Sequence, residues 1–157
     1  MIVLRDLFKV RLDKPSIATI GTFDGVHLGH QKILKSLISN SKETDLNSVL
    51  ITFDPHPRKV INPNTKTELI NTTDEKVDIL KNLGLDYLII HEFSVSFSNI
   101  DAEEFVKILI QKLNIRKLIV GYDHRFGKNR NADINDLKKF GNKYGFEVIE
   151  INAFDIE

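Results

Sequence analysis

Apolar residues along the chain alternate between two rhythms. Short apolar-rich runs read as strands: Ile17-Ala18-Thr19-Ile20 (a strand near 17–22), Val49-Leu50-Ile51-Thr52-Phe53, Tyr87-Leu88-Ile89-Ile90, Lys117-Leu118-Ile119-Val120-Gly121 and Phe146-Glu147-Val148-Ile149-Glu150-Ile151. Between them lie stretches with helical spacing. Leu28, Ile33, Leu34, Leu37 and Ile38 make an apolar stripe over 28–40, with Lys32 and Lys35 facing water. Phe105, Val106, Leu109, Ile110 and Leu113 make another. Thr72 with Glu75, and Asp101 with Glu104, have the spacing of capping boxes. Asp133 is placed to cap a further helix, and Gly84 and Gly145 to end helices. Residues 1–15 fit a short strand or a turn, followed by a loop at Lys14-Pro15. Residues 54 to about 71 form a long loop containing three prolines, of the length that is usually functional or disordered.

Strands separated by helices predict a parallel sheet, because parallel crossovers are right-handed and need helices. The expected fold is α/β and doubly wound: a five-stranded parallel sheet with helices on both faces. At 157 residues, without a linker or repeat, the whole of 1–157 reads as a single domain.

Composition narrows the function. Lys plus Arg equals Asp plus Glu at 22 each, so the formal net charge is zero. That balance argues against a general affinity for nucleic acid or anionic membrane, and leaves room for a local basic site. Without cysteine there is no disulfide, thiolate zinc site or cysteine nucleophile. No stretch approaches a membrane span, and Met1-Ile2-Val3-Leu4-Arg5-Asp6 lacks the order of a signal peptide. The expectation is a cytoplasmic protein with small-molecule substrates and neither nucleic acid nor membrane as partner.

In a doubly wound domain the ligand crevice lies beyond the C-terminal strand ends. Three informative loops fall at that edge: 21–30, 53–58 and 121–130. The first reads Gly21-Thr22-Phe23-Asp24-Gly25-Val26-His27-Leu28-Gly29-His30, with two histidines and three glycines where a strand hands over to a helix. The unpaired N–H groups and dipole of a helix start attract phosphate. Glycines admit the anion close to the backbone. Two imidazoles on one face of the first turn add donors. This combination points to chemistry at a nucleotide phosphate. A zinc reading of the histidine pair lacks a third ligand. Plainer readings stand beside the functional ones. Asp24 suits a turn stabilised through its own backbone, and Pro55-His56-Pro57 a rigid loop. Asp123 suits the cap of a turn, Arg125 with Lys128 and Arg130 a solvated basic patch, and Phe126 core packing.

His27-Leu28-Gly29-His30 resembles the HIGH signature of the α/β phosphodiesterase-like nucleotidyltransferases, shared with class I aminoacyl-tRNA synthetases. The string from Gly21 to Gln31 resembles the FMN adenylyltransferase module of bacterial FAD synthetase, part of the bifunctional riboflavin kinase/FMN adenylyltransferases. Thr52-Phe53-Asp54-Pro55-His56-Pro57-Arg58 resembles that family's Thr-Phe-x-Pro-His-Pro loop. Val120-Gly121-Tyr122-Asp123-His124-Arg125-Phe126-Gly127 resembles its Gly-x-Asp-Phe-Arg-Phe-Gly segment, with His124 in place of an aromatic. The motifs come in family order, and the resemblance runs from about residue 15 to the end.

The resemblance implies a Rossmann-like nucleotidyltransferase that transfers AMP from ATP to the phosphate of FMN, giving FAD and pyrophosphate. It implies His27 and His30 as the catalytic contacts to the ATP phosphates. Gly21, Thr22, Phe23, Asp24, Gly25 and Gly29 would complete the floor of the ATP site. Gly121, Asp123 and Arg125 would hold adenosine and phosphate. Phe53, Pro55, His56, Pro57, Arg58 and Phe126 would face FMN. Mg²⁺ is implied with ATP, without a dedicated protein ligand. The family module continues into an Ile-Ser-Ser-Thr-x-Ile-Arg segment that helps bind ATP phosphates, then into a riboflavin kinase domain. The sequence ending at Asp155-Ile156-Glu157 contains neither. The expectation is therefore an adenylyltransferase domain shortened at its C-terminus, with FMN supplied by a riboflavin kinase domain or protein. A transferase with another phosphorylated acceptor, and a non-catalytic nucleotide- or flavin-binding module, are the rival readings.

Overall fold

The structure is a computed structural model that describes residues 1–21, 28–54, 73–121, 126–128 and 131–151, excepting the side chains of 28–30, 73–74 and 76. Its elements are β1 (Ile2–Arg5), a 3-10 turn (Leu7–Lys9), β2 (Ser16–Ile20), α1 (Leu28–Thr44), β3 (Asn47–Phe53) and α2 (Thr73–Leu83). They continue with β4 (Tyr87–His91), α3 (Val95–Ser98), α4 (Ala102–Leu113), β5 (Ile115–Gly121), α5 (Ile134–Tyr144) and β6 (Glu147–Ile151). The sheet is parallel throughout, in the order β1-β4-β3-β2-β5-β6.

Among the described residues the sheet has six strands, one more than the five expected. The addition is β1, which pairs with β4 from Ile2↔Tyr87 to Arg5↔Ile90. As an edge strand it leaves Ile2 52% and Val3 40% exposed. It therefore shows none of the bilateral burial that makes an interior parallel strand legible as an apolar run. Ladder hydrogen bonds bound the pair at both ends, Ile2 N–H to Asp86 O at 2.9 Å and Asp6 N–H to Ile90 O at 3.3 Å.

Side chains alternate across the sheet with a period of two and feed two cores. On one face Ile17, Leu50, Leu88, Ile90 and Ile119 meet Ile33, Leu34 and Leu37 of α1 and Leu80 of α2. On the other, Ala18, Val49, Ile51, Ile89, Leu118 and Val120 meet Phe105, Val106, Leu109 and Leu113 of α4 and Leu137 of α5. Each such side chain contributes roughly 1.5–3 kcal/mol by leaving water. Helices cover both faces, as the alternation predicts.

Chain order fixes where the crevice lies. From β2 the chain steps outward to β3 and β4, then crosses back to β5 on the other side of β2. The winding reverses between β2 and β5, and that reversal is where doubly wound sheets bind ligands. The seam is tied by the Thr19 hydroxyl, 2% exposed, which donates to the Ile119 carbonyl at 2.7 Å.

Candidate active site at the switch point

Two glycines end the strands that flank the reversal. Gly21 follows β2, and its N–H donates to Ile51 O at 3.0 Å. Gly121 closes β5 and pairs with Ile151. Carried three residues onward, the register Ala18↔Leu118 brings Gly21 level with Gly121. Helix α1 packs over β2, β5 and β3, so its N-terminal turn lies at the same edge. Gly29 and His30 belong to that first turn. Thr22, Phe23, Asp24, Gly25 and His27, and the side chain of His30, lie outside the described residues.

Asp123 and Arg125 also lie outside them, but both ends of their segment are described. It leaves β5 at Gly121 and returns at Phe126, whose backbone exchanges hydrogen bonds with Ala132 at 3.0 and 3.2 Å. Gly127 follows with φ +78°, and a Cβ on it would stand 2.9 Å from both Cβ and N of Ala102 at the start of α4. Only glycine fits a positive φ pressed this closely on a helix start. Phe126 is half-buried and lines a cavity of about 260 Å³ with Ala102, Ala132 and Phe140.

The second expected ligand segment starts at the tip of β3. Phe53 pairs with His91 in the ladder. Its ring lies 5.4 Å from Phe93 and 5.5 Å from Phe97, within the range of aromatic contacts. Pro55, His56, Pro57 and Arg58 lie outside the described residues.

Sequence reasoning missed the larger cavity, of about 490 Å³, beyond the C-terminal ends of β1, β3 and β4. His91 stands in its wall, 5% exposed, with its ring 5.1 Å from Phe8 and 4.6 Å from Phe97. Its Nδ1 accepts the Leu7 N–H at 3.0 Å, which assigns the proton of the neutral ring to Nε2. Burial holds its pKa below the usual 6.5, against the opposite pull of Asp6 and Glu92. The available signal was a histidine directly after Leu88-Ile89-Ile90, at the edge where ligands bind. Among the described residues, no group of three or more His, Cys, Asp or Glu is arranged to hold a metal ion.

Comparison with known proteins agrees with this architecture. The model of the FAD synthetase family matches residues 9–157. The chain is 41% identical over 144 residues to the bifunctional riboflavin kinase/FMN adenylyltransferase of Buchnera aphidicola from Schizaphis graminum, covering 91% of this chain and 46% of that protein. It is 32% identical over 139 residues to the Escherichia coli K12 protein of the same name, covering 88% and 44%. It thus spans about half the length of these curated relatives. Among solved structures, a Streptococcus pneumoniae protein described as a macrolide-efflux protein superposes with a TM-score of 0.86 at 26% identity, over 97% of this chain and 50% of that one. No helix among the described residues of the present chain is long and apolar enough to cross a membrane. The pantoate-β-alanine ligase of Francisella tularensis, complexed with β,γ-ATP and β-alanine, shares the fold alone: TM-score 0.60, 17% identity, 97% of this chain and 67% of that one. Sheet order, the level glycines at the reversal and a match running from residue 9 to residue 157 lead to one assignment: the chain belongs to the FAD synthetase family.

Proposed function

We propose that the chain transfers AMP from ATP to the phosphate of FMN, releasing pyrophosphate and forming FAD. The observation that carries this reading is that Gly21 and Gly121 end β2 and β5, the two strands that flank the reversal, with α1 packed over both. The His27-Leu28-Gly29-His30 corner is continuous with the first turn of α1.

An oxygen of the FMN phosphate, already ionised near neutral pH, attacks the α-phosphorus of ATP. The bond from that phosphorus to the α,β-bridging oxygen breaks, and its electron pair leaves with pyrophosphate. No proton has to move, so no serine, cysteine or general base is required. Catalysis then consists of positioning and of neutralising charge on the phosphates. In this reading His27 and His30 donate to phosphate oxygens, alongside the free N–H groups of the α1 start. Asp123 accepts from ribose hydroxyls, and Arg125 pairs with phosphate in a forked geometry. Phe53, Pro55, His56, Pro57 and Phe126 offer contact to the flavin, and Arg58 an anion partner. Mg²⁺ enters as part of the Mg·ATP substrate, since it keeps its waters and leans on substrate phosphates. A riboflavin kinase, fused in the bifunctional relatives, supplies FMN in the cytoplasm.

Pyrophosphate release from Mg·ATP, with and without FMN, tests the reading against His27→Ala and His30→Ala. The expected result is FMN-dependent release, reduced roughly 100- to 1,000-fold by each lost donor. Release that ignores FMN, or that follows another phosphorylated acceptor equally well, overturns the assignment. Binding of both ligands without release assigns a non-catalytic module instead.

A further inference from the structure

We infer that Thr19 is a positioning residue for the nucleotide: its buried hydroxyl holds β2 and β5 at a fixed separation where their backbone ladder stops, and so sets the spacing between Gly21 and Gly121. The inference rests on the adenylyl-transfer reading and deepens it. The ladder between β2 and β5 consists of Ser16↔Ile115, Ile17↔Lys117 and Ala18↔Leu118, with Arg116 passed over by a shift of register. Both strands run on beyond it with their outer neighbours. β2 stays paired with β3 to Ile20↔Ile51, and β5 with β6 to Gly121↔Ile151. The ladder is therefore open between β2 and β5 over the last residues before the two glycines. That opening lies at the reversal, where a doubly wound domain takes its ligand.

Opening a parallel pair takes ladder partners from backbone groups, and a buried carbonyl left that way is costly. Ile119 is fully buried and follows directly on the last pair, Ala18↔Leu118. The Thr19 hydroxyl donates to its carbonyl at 2.7 Å. At the other end of the same ladder the buried Ser16 hydroxyl donates to Leu113 O at 2.6 Å, so a hydroxyl of β2 brackets each end of this short seam. A side-chain donor achieves what a backbone N–H does not. It satisfies the carbonyl without drawing the two backbones into a ladder. Threonine suits the task, because its branched Cβ makes χ1 stiff and holds the hydroxyl in one direction. Ile17 and Ile119 lie on the face covered by α1, and the period of two places the Thr19 side chain on that face as well. It sits under the helix that the His27-Leu28-Gly29-His30 corner begins. Without the hydroxyl, the Ile119 carbonyl recovers a partner only by closing onto β2 or by admitting water. Either change alters the spacing of the glycines that end the two strands.

Three variants isolate the hydroxyl. Thr19→Val keeps the shape and removes the donor, Thr19→Ser keeps the donor and removes the methyl, and Thr19→Ala removes both. The probe is an ATP analogue bridged by methylene between its α and β phosphorus atoms, whose Kd is measured beside the KM for Mg·ATP and the KM for FMN. Thr19→Val is expected to weaken the analogue and raise the KM for ATP about tenfold, with the KM for FMN at its wild-type value. Thr19→Ser is expected to restore nucleotide affinity. Should Thr19→Val not fold, Thr19→Ser against Thr19→Ala makes the same comparison, with the same ratio of about tenfold expected. Equal nucleotide affinity with and without the hydroxyl overturns the inference. So does a loss shared equally by ATP and FMN, which marks a general loosening of the fold. Both results leave FAD formation by the wild type intact. Failure of the adenylyl-transfer reading shows instead as a wild-type protein that makes no FAD, while the Kd of the analogue still reports on Thr19.

Discussion

His91 Nδ1 holds the amide of Leu7, a fully buried residue 84 positions earlier in the chain. Protonating that nitrogen would remove the acceptor and bury a charge. The folded pKa accordingly lies below the 6.5 of the free side chain. The unfolded chain therefore takes up this proton first as pH falls. The stability associated with a neutral His91 is complete above about pH 6.5, and it is lost as pH drops from there through the lower folded value. Asp6, 3.9 Å from Nδ1, and Glu92 soften the effect; Asp54 and Arg5 are the other charged groups of the same cavity. Urea midpoints at pH 7.5 and 5.5 should differ more for wild type than for His91→Asn. Equal differences would remove His91 as the titrating group. Glu103, held below its usual carboxylate range by its hydrogen bond from Lys143, acts only at more acid pH and does not confuse this window. His91→Phe should cost about 1–3 kcal/mol at neutral pH, since Leu7 N–H then has no acceptor. The sequence displays this histidine but not its role. The strand reading stops at Ile90, and a partner 84 residues away leaves no local pattern.

Elements whose signals are local were legible. Asp101 caps α4 by accepting from Glu104 N–H at 2.9 Å. Asp133 and Asp136 form a reciprocal capping box on α5, and Gly145 ends that helix with φ 84°. Asp133→Ala should lower stability by about 1 kcal/mol. The edge strand β1 was left open between a strand and a turn, and α3, a single turn whose cap is the Ser94 hydroxyl accepting from Phe97 N–H at 3.0 Å, was missed. Neither is long enough to display a period. Gly141 within α5 shows local rules giving the wrong sign. Helix propensity favours Gly→Ala at an interior position by about 1 kcal/mol. Here the added Cβ would lie 2.5 Å from the Phe146 carbonyl oxygen, part of the turn that launches β6. That oxygen belongs to backbone and cannot swing aside. Gly141→Ala should therefore lower the melting temperature, and a higher one would mean that the α5–β6 turn yields freely.

At the scale of the molecule, one sheet edge carries the candidate nucleotide site and a separate cavity side by side. The candidate nucleotide site follows from β2, β5 and α1; the cavity of about 490 Å³ lies along the tips of β3, β4 and β1. The motif of the first stands out in the sequence because it lies within one strand-to-helix corner. The second was missed, because Phe8, Phe53, His91 and Phe97 are brought together by β1 joining the sheet edge. A ligand present at a hundredfold excess over its Kd stabilises the native state by about 2.7 kcal/mol, or roughly 5–11 °C for a chain of this size. Riboflavin and an ATP analogue bridged by methylene between its α and β phosphorus atoms should each produce such a shift. His27→Ala/His30→Ala should abolish the second shift and spare the first. In the proposed reaction, replacing riboflavin by FMN brings a second anion to the β2–β5 tips, where phosphate must meet phosphate. Without Mg²⁺ the combined shift of FMN and the analogue should fall short of their sum, through repulsion between the two anions. Mg²⁺ should restore it by neutralising the analogue. Sums that are additive with and without Mg²⁺ would put the two phosphates far apart, and direct attack of one on the other would then be impossible.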